Sequence, residues 1–378
     1  MSLKDRCDKL YDCPDKSDEK HCNKVEMDTH SYRKDLPPYK RGYTVDINVT
    51  IYLLNVNKIA LPSTFDAKFE VQLNWTDYRL DYIDLHEKNQ IDENTKQKLW
   101  IPPLRFSNTE NNKILDIDKQ TTMLVIRKGD FVLNDQNELH EAAIFSGDEN
   151  FLYYKRGYHT IFECDYDLRL YPFDEQICHI DIEIPKFIQR YINVYPGETG
   201  NHGIKELAQF IITETTIESI RNNSLVRCKI HLKRMPLYHI ATTYVPTLSI
   251  IFMALFTLFI DQSHFEATIM VALTAMLVMY TLFQSIAGSM PSTAYLKLLD
   301  IWLIFGLFMP FLVFTIEVAW ELMDQNQNKY KKNSITSNKR YYGKRPSDKS
   351  VLRKARCILP TITIGFIVCY IVVVLCVH

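Results

Sequence analysis

CDYDLRLYPFDEQIC, Cys164 to Cys178, sets two cysteines around thirteen residues and places an aromatic–proline turn, Tyr171-Pro172-Phe173-Asp174, near the second. A loop this short needs a reason to be closed by a crosslink and to carry apolar rings at its tip. The reason has to come from where the chain runs next, and beyond residue 237 it runs into long apolar stretches.

The 378 residues carry a formal net charge of -1, which points to no nucleic-acid partner. The balance is uneven along the chain. Residues 1–237 hold 32 Lys+Arg against 38 Asp+Glu, whereas residues 238–378 hold 12 against 7, and 11 of those 12 lie between residues 321 and 357. In the second part, Tyr238–Ile260, Ala267–Met290 and Cys357–Val377 contain no Asp, Glu, Lys or Arg over 23, 24 and 21 residues, and Ile301–Ile316 is a shorter run with mostly apolar flanks. A bilayer core about 30 Å thick needs roughly 20 apolar residues as helix, so four spans and a lipid environment are expected. The alternative, buried helices of a soluble core, is strained by four such runs in so short a stretch.

The basic segment NKYKKNSITSNKRYYGKRPSDKSVLRKAR joins the third and fourth spans and is expected in the cytoplasm. Both termini then lie outside, on the plasma-membrane exterior. Three glycosylation acceptors, at Asn48, Asn74 and Asn222, suit that topology. No signal peptide opens the chain at MSLKDRC, so a native start further upstream is expected.

Residues 41–237 read as strands. YTVDINVTIYLL alternates Val45, Ile47, Val49 and Ile51 against Asp46, Asn48 and Thr50, the period of a half-buried strand. KFEVQLNWTDYRL and LVRCKIHLKR read alike, with turn signals such as GDEN and YPGETGNHG between apolar stretches. The expected fold is therefore an extracellular all-β, immunoglobulin-like sandwich followed by a four-helix transmembrane bundle. In an oxidising compartment Cys164 and Cys178 are expected to form a disulfide, two free core thiols being the alternative.

The motifs in this order resemble those of the pentameric ligand-gated ion channels, the Cys-loop receptor superfamily. The Cys164–Cys178 loop has that family's interior length and its aromatic-Pro-x-Asp turn. WTDYRL at Trp75–Leu80, WIPPLRFSN at Trp100–Asn108, KRMPLYHIATTYVP before the first span and MPSTAYLKLLDIWL between the second and third follow in register, and the match runs from about Tyr43 to His378. The resemblance implies a subunit that assembles with four copies of itself or with homologous subunits, binds a small-molecule agonist and needs no cofactor. It implies a coupling role for Tyr171, Pro172, Phe173, Asp174, Arg234 and Pro291, with Asp174 placed to meet Arg234. A merely stabilising hairpin is the alternative.

Departures from the family pattern bear on the ligand. The aromatic cage that attracts ammonium ligands is poorly matched. Glu70 stands five residues before Trp75, Pro185 stands where a cage aromatic is expected, and Phe187 comes two residues late. Pro103 replaces the aspartate of the W-x-P-D segment, and Arg105 follows, as in the proton-gated bacterial members. Glu70, Arg105 and Phe187 are the candidate ligand-binding residues. Arg105 favours an anionic agonist unless it pairs internally with a carboxylate. The 63 residues between Trp100 and Cys164 suggest an insertion in DQNELHEAAIFSGDEN.

CDKLYDCPDKSDEKHC, residues 7–22, resembles the second half of an LDL-receptor class A repeat. The resemblance implies a Cys7–Cys22 disulfide and Ca²⁺ ligation by Asp8, Asp12, Asp18 and Glu19. A disordered acidic leader is the alternative.

Steps of four and three along the second span give Glu266, Met270, Thr274, Leu277, Thr281 and Gln284 on one face, a polar stripe suited to a pore. Helix–helix hydrogen bonding by Thr274 and Thr281 is the alternative. Glu266 favours cations. The alternatives are an anion-selective channel, which would call for a basic residue beside Glu266 where Ala267 and Thr268 stand, and a receptor sealed by Met270 that does not conduct. No nucleophile–base pair, phosphate loop or transition-metal spacing suggests an enzyme. The expected order is a leader (1–30), the ligand-binding sandwich (31–237), three spans (238–320), a cytoplasmic basic linker (321–356) and a fourth span (357–378).

Overall fold

A computed structural model describes residues 10–15, 25–40, 42–60, 63–83, 85, 88–110, 115–116, 121–128, 144–221, 223–260, 264–290, 293–336 and 349–377. Cys7, Cys22, Asp8, Asp18, Glu19, Asn222, Pro291 and most of the expected insertion lie outside the described residues. The chain forms two compact units, residues 1–166 with 176–232, and residues 167–175 with 233–378.

The first unit is a β-sandwich. Its strands are β1 (Val25–Met27), β2 (Val45–Ala60), β3 (Thr64–Trp75), β4 (Leu80–Ile83), β5 (Lys88–Gln90), β6 (Arg105–Phe106), β7 (Leu115–Asp116), β8 (Thr122–Ile126), β9 (Ile144–Ser146), β10 (Phe151–Glu163), β11 (Glu175–Glu183), β12 (Ile192–Asn201), β13 (Phe210–Ile220) and β14 (Leu225–Arg234), with one short helix, α1 (Glu93–Lys96). One sheet runs β12-β2-β3-β10-β8-β5 with β7 beside β10, a second runs β13-β14-β11-β6, and a small third runs β1-β4-β9.

Strict alternation in β3 turns Phe65, Ala67, Phe69, Val71, Leu73 and Trp75 inward, each no more than 1 % exposed. Phe106 from the second sheet meets Phe69 edge-on at 5.3 Å and Tyr158 at 5.1 Å, so aromatic rings join the two layers. In β2 the expected inward residues Val45, Ile47, Val49 and Ile51 are buried. Thr50, expected outside, is buried as well. The parallel neighbour β12 covers it at a bulge between Pro196 and Thr199. A Cβ on Gly197 would come within 2.5 Å of the Thr50 hydroxyl, so only glycine permits that approach.

The second unit is helical: α2 (Leu237–His239), a π-helical turn (Ile240–Tyr244), α3 (Val245–Thr257), α4 (Phe265–Ser289), α5 (Leu298–Thr336) and α6 (Lys349–Val377). The π turn precedes Pro246, which has no N–H to donate into the preceding turn. Leu237–Thr257, Phe265–Ser289, Leu298–Asn326 and Arg353–Cys376 are long and apolar enough to cross a membrane. They pack around Ile251 and Ala254 of α3, Ala275 and Met279 of α4, Val313 of α5 and Leu359 of α6. The fourth helix is tied in by Tyr370, 2.6 Å from the Tyr244 hydroxyl, and by Phe366 stacked on Phe305 at 3.7 Å.

The third helix does not stop near residue 320 but continues to Thr336, and the fourth begins at Lys349, inside the segment read as linker. Lys, Asn and Gln tolerate helix well enough for it to run on into water, and the first strong breakers, Gly343 and Pro346, fall between the two helices.

Candidate functional site

Three groups of residues carry the candidate chemistry, and one is the Cys164–Cys178 loop. Cys164 and Cys178 are bonded, with Cα atoms 5.2 Å apart. Between them the chain leaves the sandwich, and residues 167–175 pack with the helices. Arg234 donates from Nε to Asp174 Oδ1 at 2.6 Å and from Nη2 to Oδ2 at 3.0 Å, with the two side chains 0 % and 2 % exposed. A backbone bond from the Arg234 N–H to the Asp174 carbonyl runs beside them.

The same guanidinium lies 4.6 Å from the Tyr171 ring centre, and the Tyr171 hydroxyl is 2.9 Å from His239 Nε2. Burial pushes that hydroxyl up to about 12 against the opposing pull of Arg234. On the other side of the tip, the Leu298 and Leu299 N–H groups at the start of α5 donate to the carbonyls of Arg169 and Tyr171 at 2.8 and 3.2 Å. One rigid tip therefore touches the entry of the first membrane helix and the entry of the third. Phe173 stands beside Tyr244 with ring centres 6.1 Å apart.

The second group is the α4 stripe. Glu266, Met270, Thr274, Leu277, Thr281 and Gln284 are all exposed, whereas Thr268, Ala272, Ala275 and Met279 on the opposite face are buried. Thr274 donates to the Met270 and Val271 carbonyls at 2.9 Å, and Thr281 donates to the Val278 carbonyl at 2.8 Å. Both hydroxyls thus serve their own helix, and no such bond joins them to a neighbouring one among the described residues.

The ligand candidates divide between the two sheets. Arg105 on β6 is exposed and makes no side-chain hydrogen bond or ion pair among the described residues, although Glu183 is its ladder neighbour. Phe187, just past β11 on that sheet, is 72 % exposed. Glu70 lies on the other sheet, on β3, held by Lys155 Nζ at 2.6 Å and by Gln72 Nε2 at 2.6 Å.

The neighbours of Glu70 escaped the sequence reading. Tyr52 stacks on His202 at 4.2 Å and donates to Glu198 Oε2 at 3.1 Å. The Tyr153 hydroxyl is pushed up to about 12 by burial first and by Glu70 next. These rings stand on strands, as Glu70 does. Tyr52 shares the period-two face of Asp46 and Asn48, and that was the available signal.

Asn48 is exposed, and its ladder partner Asn74 is half-buried with Oδ1 inside and unbonded. Asp12 is exposed, and among the described residues no group of three or more His, Cys, Asp or Glu could hold a metal ion.

The family of neurotransmitter-gated ion-channel ligand-binding domains matches residues 23–245, more than half of the chain. A gamma-aminobutyric acid receptor subunit beta of Lymnaea stagnalis is 24% identical over 305 residues, 75% of this chain and 57% of that protein, so the chain spans little more than half of that relative's length. A disulfide-closed loop on a β-sandwich, followed by four helices long enough to span a membrane, accompanies the match. The chain belongs to the Cys-loop family of neurotransmitter-gated ion channels, a family of receptors and not of enzymes.

Proposed function

We propose that this chain is a subunit of a ligand-gated channel of the plasma membrane, a pentamer of itself or with homologous subunits, with both termini outside and the basic segment in the cytoplasm. The observation that carries the reading is the α4 stripe, whose side chains are exposed among the described residues while Thr268, Ala272, Ala275 and Met279 on the opposite face are packed. Repeated five times around an axis, that stripe lines a pore. Glu266 forms a ring of negative charge that favours cations. Leu277, 11 residues on and about 16 Å along the helix, forms a separate apolar constriction.

Agonist binds the extracellular unit. Arg105, without a side-chain partner among the described residues, supports a carboxylate-bearing agonist, and gamma-aminobutyric acid, named for the Lymnaea relative, is such a molecule. Glu70 and Phe187 stand on different sheets, so a pocket that uses both needs two subunits. Met270, 61 % exposed on the pore stripe, favours a second reading in which five bulky side chains seal the pore of a non-conducting receptor.

Reversal potentials of the expressed protein under sodium and chloride gradients test the assignment. Glu266→Ala lowers cation preference, and Leu277→Thr raises resting current. A reversal potential that follows chloride in the unaltered channel assigns it to the anion-selective class and removes Glu266 as the filter.

A further inference from the structure

A cavity of about 320 Å³ opens at one end of the sandwich, where the segment before β2 meets the turns after β3 and β9. Val45 and Pro38 form an apolar base, Tyr43 and Tyr78 supply ring faces, and Lys40, Asp46 and Asp148 bring charge to the rim. The walls are held in place. The Tyr78 hydroxyl donates to the Tyr39 carbonyl at 2.9 Å, which pins the ring. Next to it, buried Asp77 takes a two-pronged bond from Arg79 at 2.8 and 2.7 Å. Asn193 Nδ2 donates to Asp46 Oδ1 at 3.2 Å. Asp148 follows Gly147, whose place a larger residue cannot take, since a Cβ there would lie 2.2 Å from the Asp77 carbonyl oxygen.

Two carboxylates oppose one ammonium, a local excess of one negative charge. The Asp148 carboxylate receives no hydrogen bond or ion pair from the described residues. Lys40 Nζ sits 5.8 Å from the centre of the Tyr78 ring, so the protein itself already sets an ammonium over that face. A metal ion would need more oxygen ligands than two carboxylates give. An organic ammonium needs what is present: a ring face, an apolar base and one free counter-charge.

We propose that this cavity is a binding site for small organic ammonium ions, with Lys40 as a built-in competitor for the Tyr78 face. The site is separate from the residues assigned to the agonist and does not depend on that assignment. The carboxylate of Asp148 pairs with the ligand cation, the Tyr78 and Tyr43 rings flank its alkyl groups, and the Lys40 side chain swings aside.

Tetramethylammonium chloride is the probe, titrated into the full detergent-solubilised chain by saturation-transfer NMR, with sodium chloride at equal ionic strength as the control. Tyr78→Leu weakens binding roughly two- to fivefold, the effect of losing one exposed cation–ring contact. Asp148→Asn weakens it by a similar factor. Tyr43→Leu alters a ring already 72 % exposed, so it keeps the test alive if Tyr78→Leu fails to fold. Lys40→Gln strengthens binding, because the internal competitor is gone, and Arg105→Ala leaves it unchanged. Asn48→Gln controls for a glycan two residues from Asp46 on the same face of β2. Absence of saturable binding overturns the proposal, as does binding indifferent to Asp148→Asn and Tyr43→Leu. Weaker binding in Lys40→Gln overturns it too, since the Lys40 ammonium would then not be a competitor for the Tyr78 face.

Discussion

Removing one partner of the Asp174–Arg234 pair should destabilise the helical unit by several kcal/mol, and removing both should cost less than the sum. Both side chains are essentially out of water, at 2 % and 0 % exposure, and they meet through two charge-assisted bonds of 2.6 and 3.0 Å. Asp174→Ala leaves a guanidinium buried against the Tyr171 ring without its counter-charge. Breaking a buried pair in this way costs about 3–5 kcal/mol. In a unit of some 155 residues each kcal/mol is worth roughly 2–4 °C, so the unfolding midpoint should fall by about 6–20 °C. Arg234→Ala should cost as much. The double variant has no stranded charge, and contacting pairs couple by about 0.5–3 kcal/mol, with a buried bidentate pair at the upper end. Tryptophan fluorescence during heating of the detergent-purified chain gives the three midpoints, and agonist dose–response curves of the same variants give the effect on gating. If the three midpoints are additive, the pair carries no mutual stabilisation and the argument for a rigid tip fails. If the midpoints couple but the dose–response curves do not move, the tip is a brace and not a lever.

Arg105→Ala should weaken a carboxylate agonist about 10- to 150-fold, the loss of one charge-assisted bond, in dose–response measurements on a variant that still reaches the surface; unchanged responses to every anionic ligand tested would sink the idea. Of the two ladder asparagines, Asn48 should carry a glycan and Asn74 should not, because Asn74 presents a buried oxygen from a central strand; mass shifts of Asn48→Gln and Asn74→Gln decide it. His179 on β11 lies below its ordinary value, first because of burial and then through Arg227 and Lys229, with Asp181 pulling the other way. The unfolded chain therefore binds that proton more readily, so stability is full above about pH 6.5 and is lost as pH falls through it. Melting curves of His179→Gln between pH 7.5 and 5 should show a flatter acid limb than the unaltered protein.

Where a single segment's own geometry decides the outcome, its residues could be read directly. The period of two in Val45–Ile51 and Phe65–Trp75, the charge-free runs and the spacing of the α4 stripe each describe one strand or one helix, and each is visible without knowing its neighbours. Thr50 was misplaced because its burial depends on β12, a strand more than 140 residues away that pairs in parallel and bulges over it. The end of α5 and the start of α6 reach beyond the apolar runs, because a charge count marks where lipid ends, not where a helix does. Tyr52 and Tyr153 are not distinguished by the sequence because these rings occupy alternate positions of strands, where nothing in the local pattern separates a ligand face from a solvated one. Arg105 and Glu70 pose the same problem at a larger scale. They lie on different sheets of one sandwich, so no single strand pattern points to both. We infer that in the proposed pentamer the second sheet of one subunit faces the first sheet of the next, so that the other half of the pocket is a copy of surface already present in this chain. On that reading the separation of Arg105 and Glu70 within one subunit is what the agonist site requires, and the test is whether the two couple across two subunits carrying one substitution each.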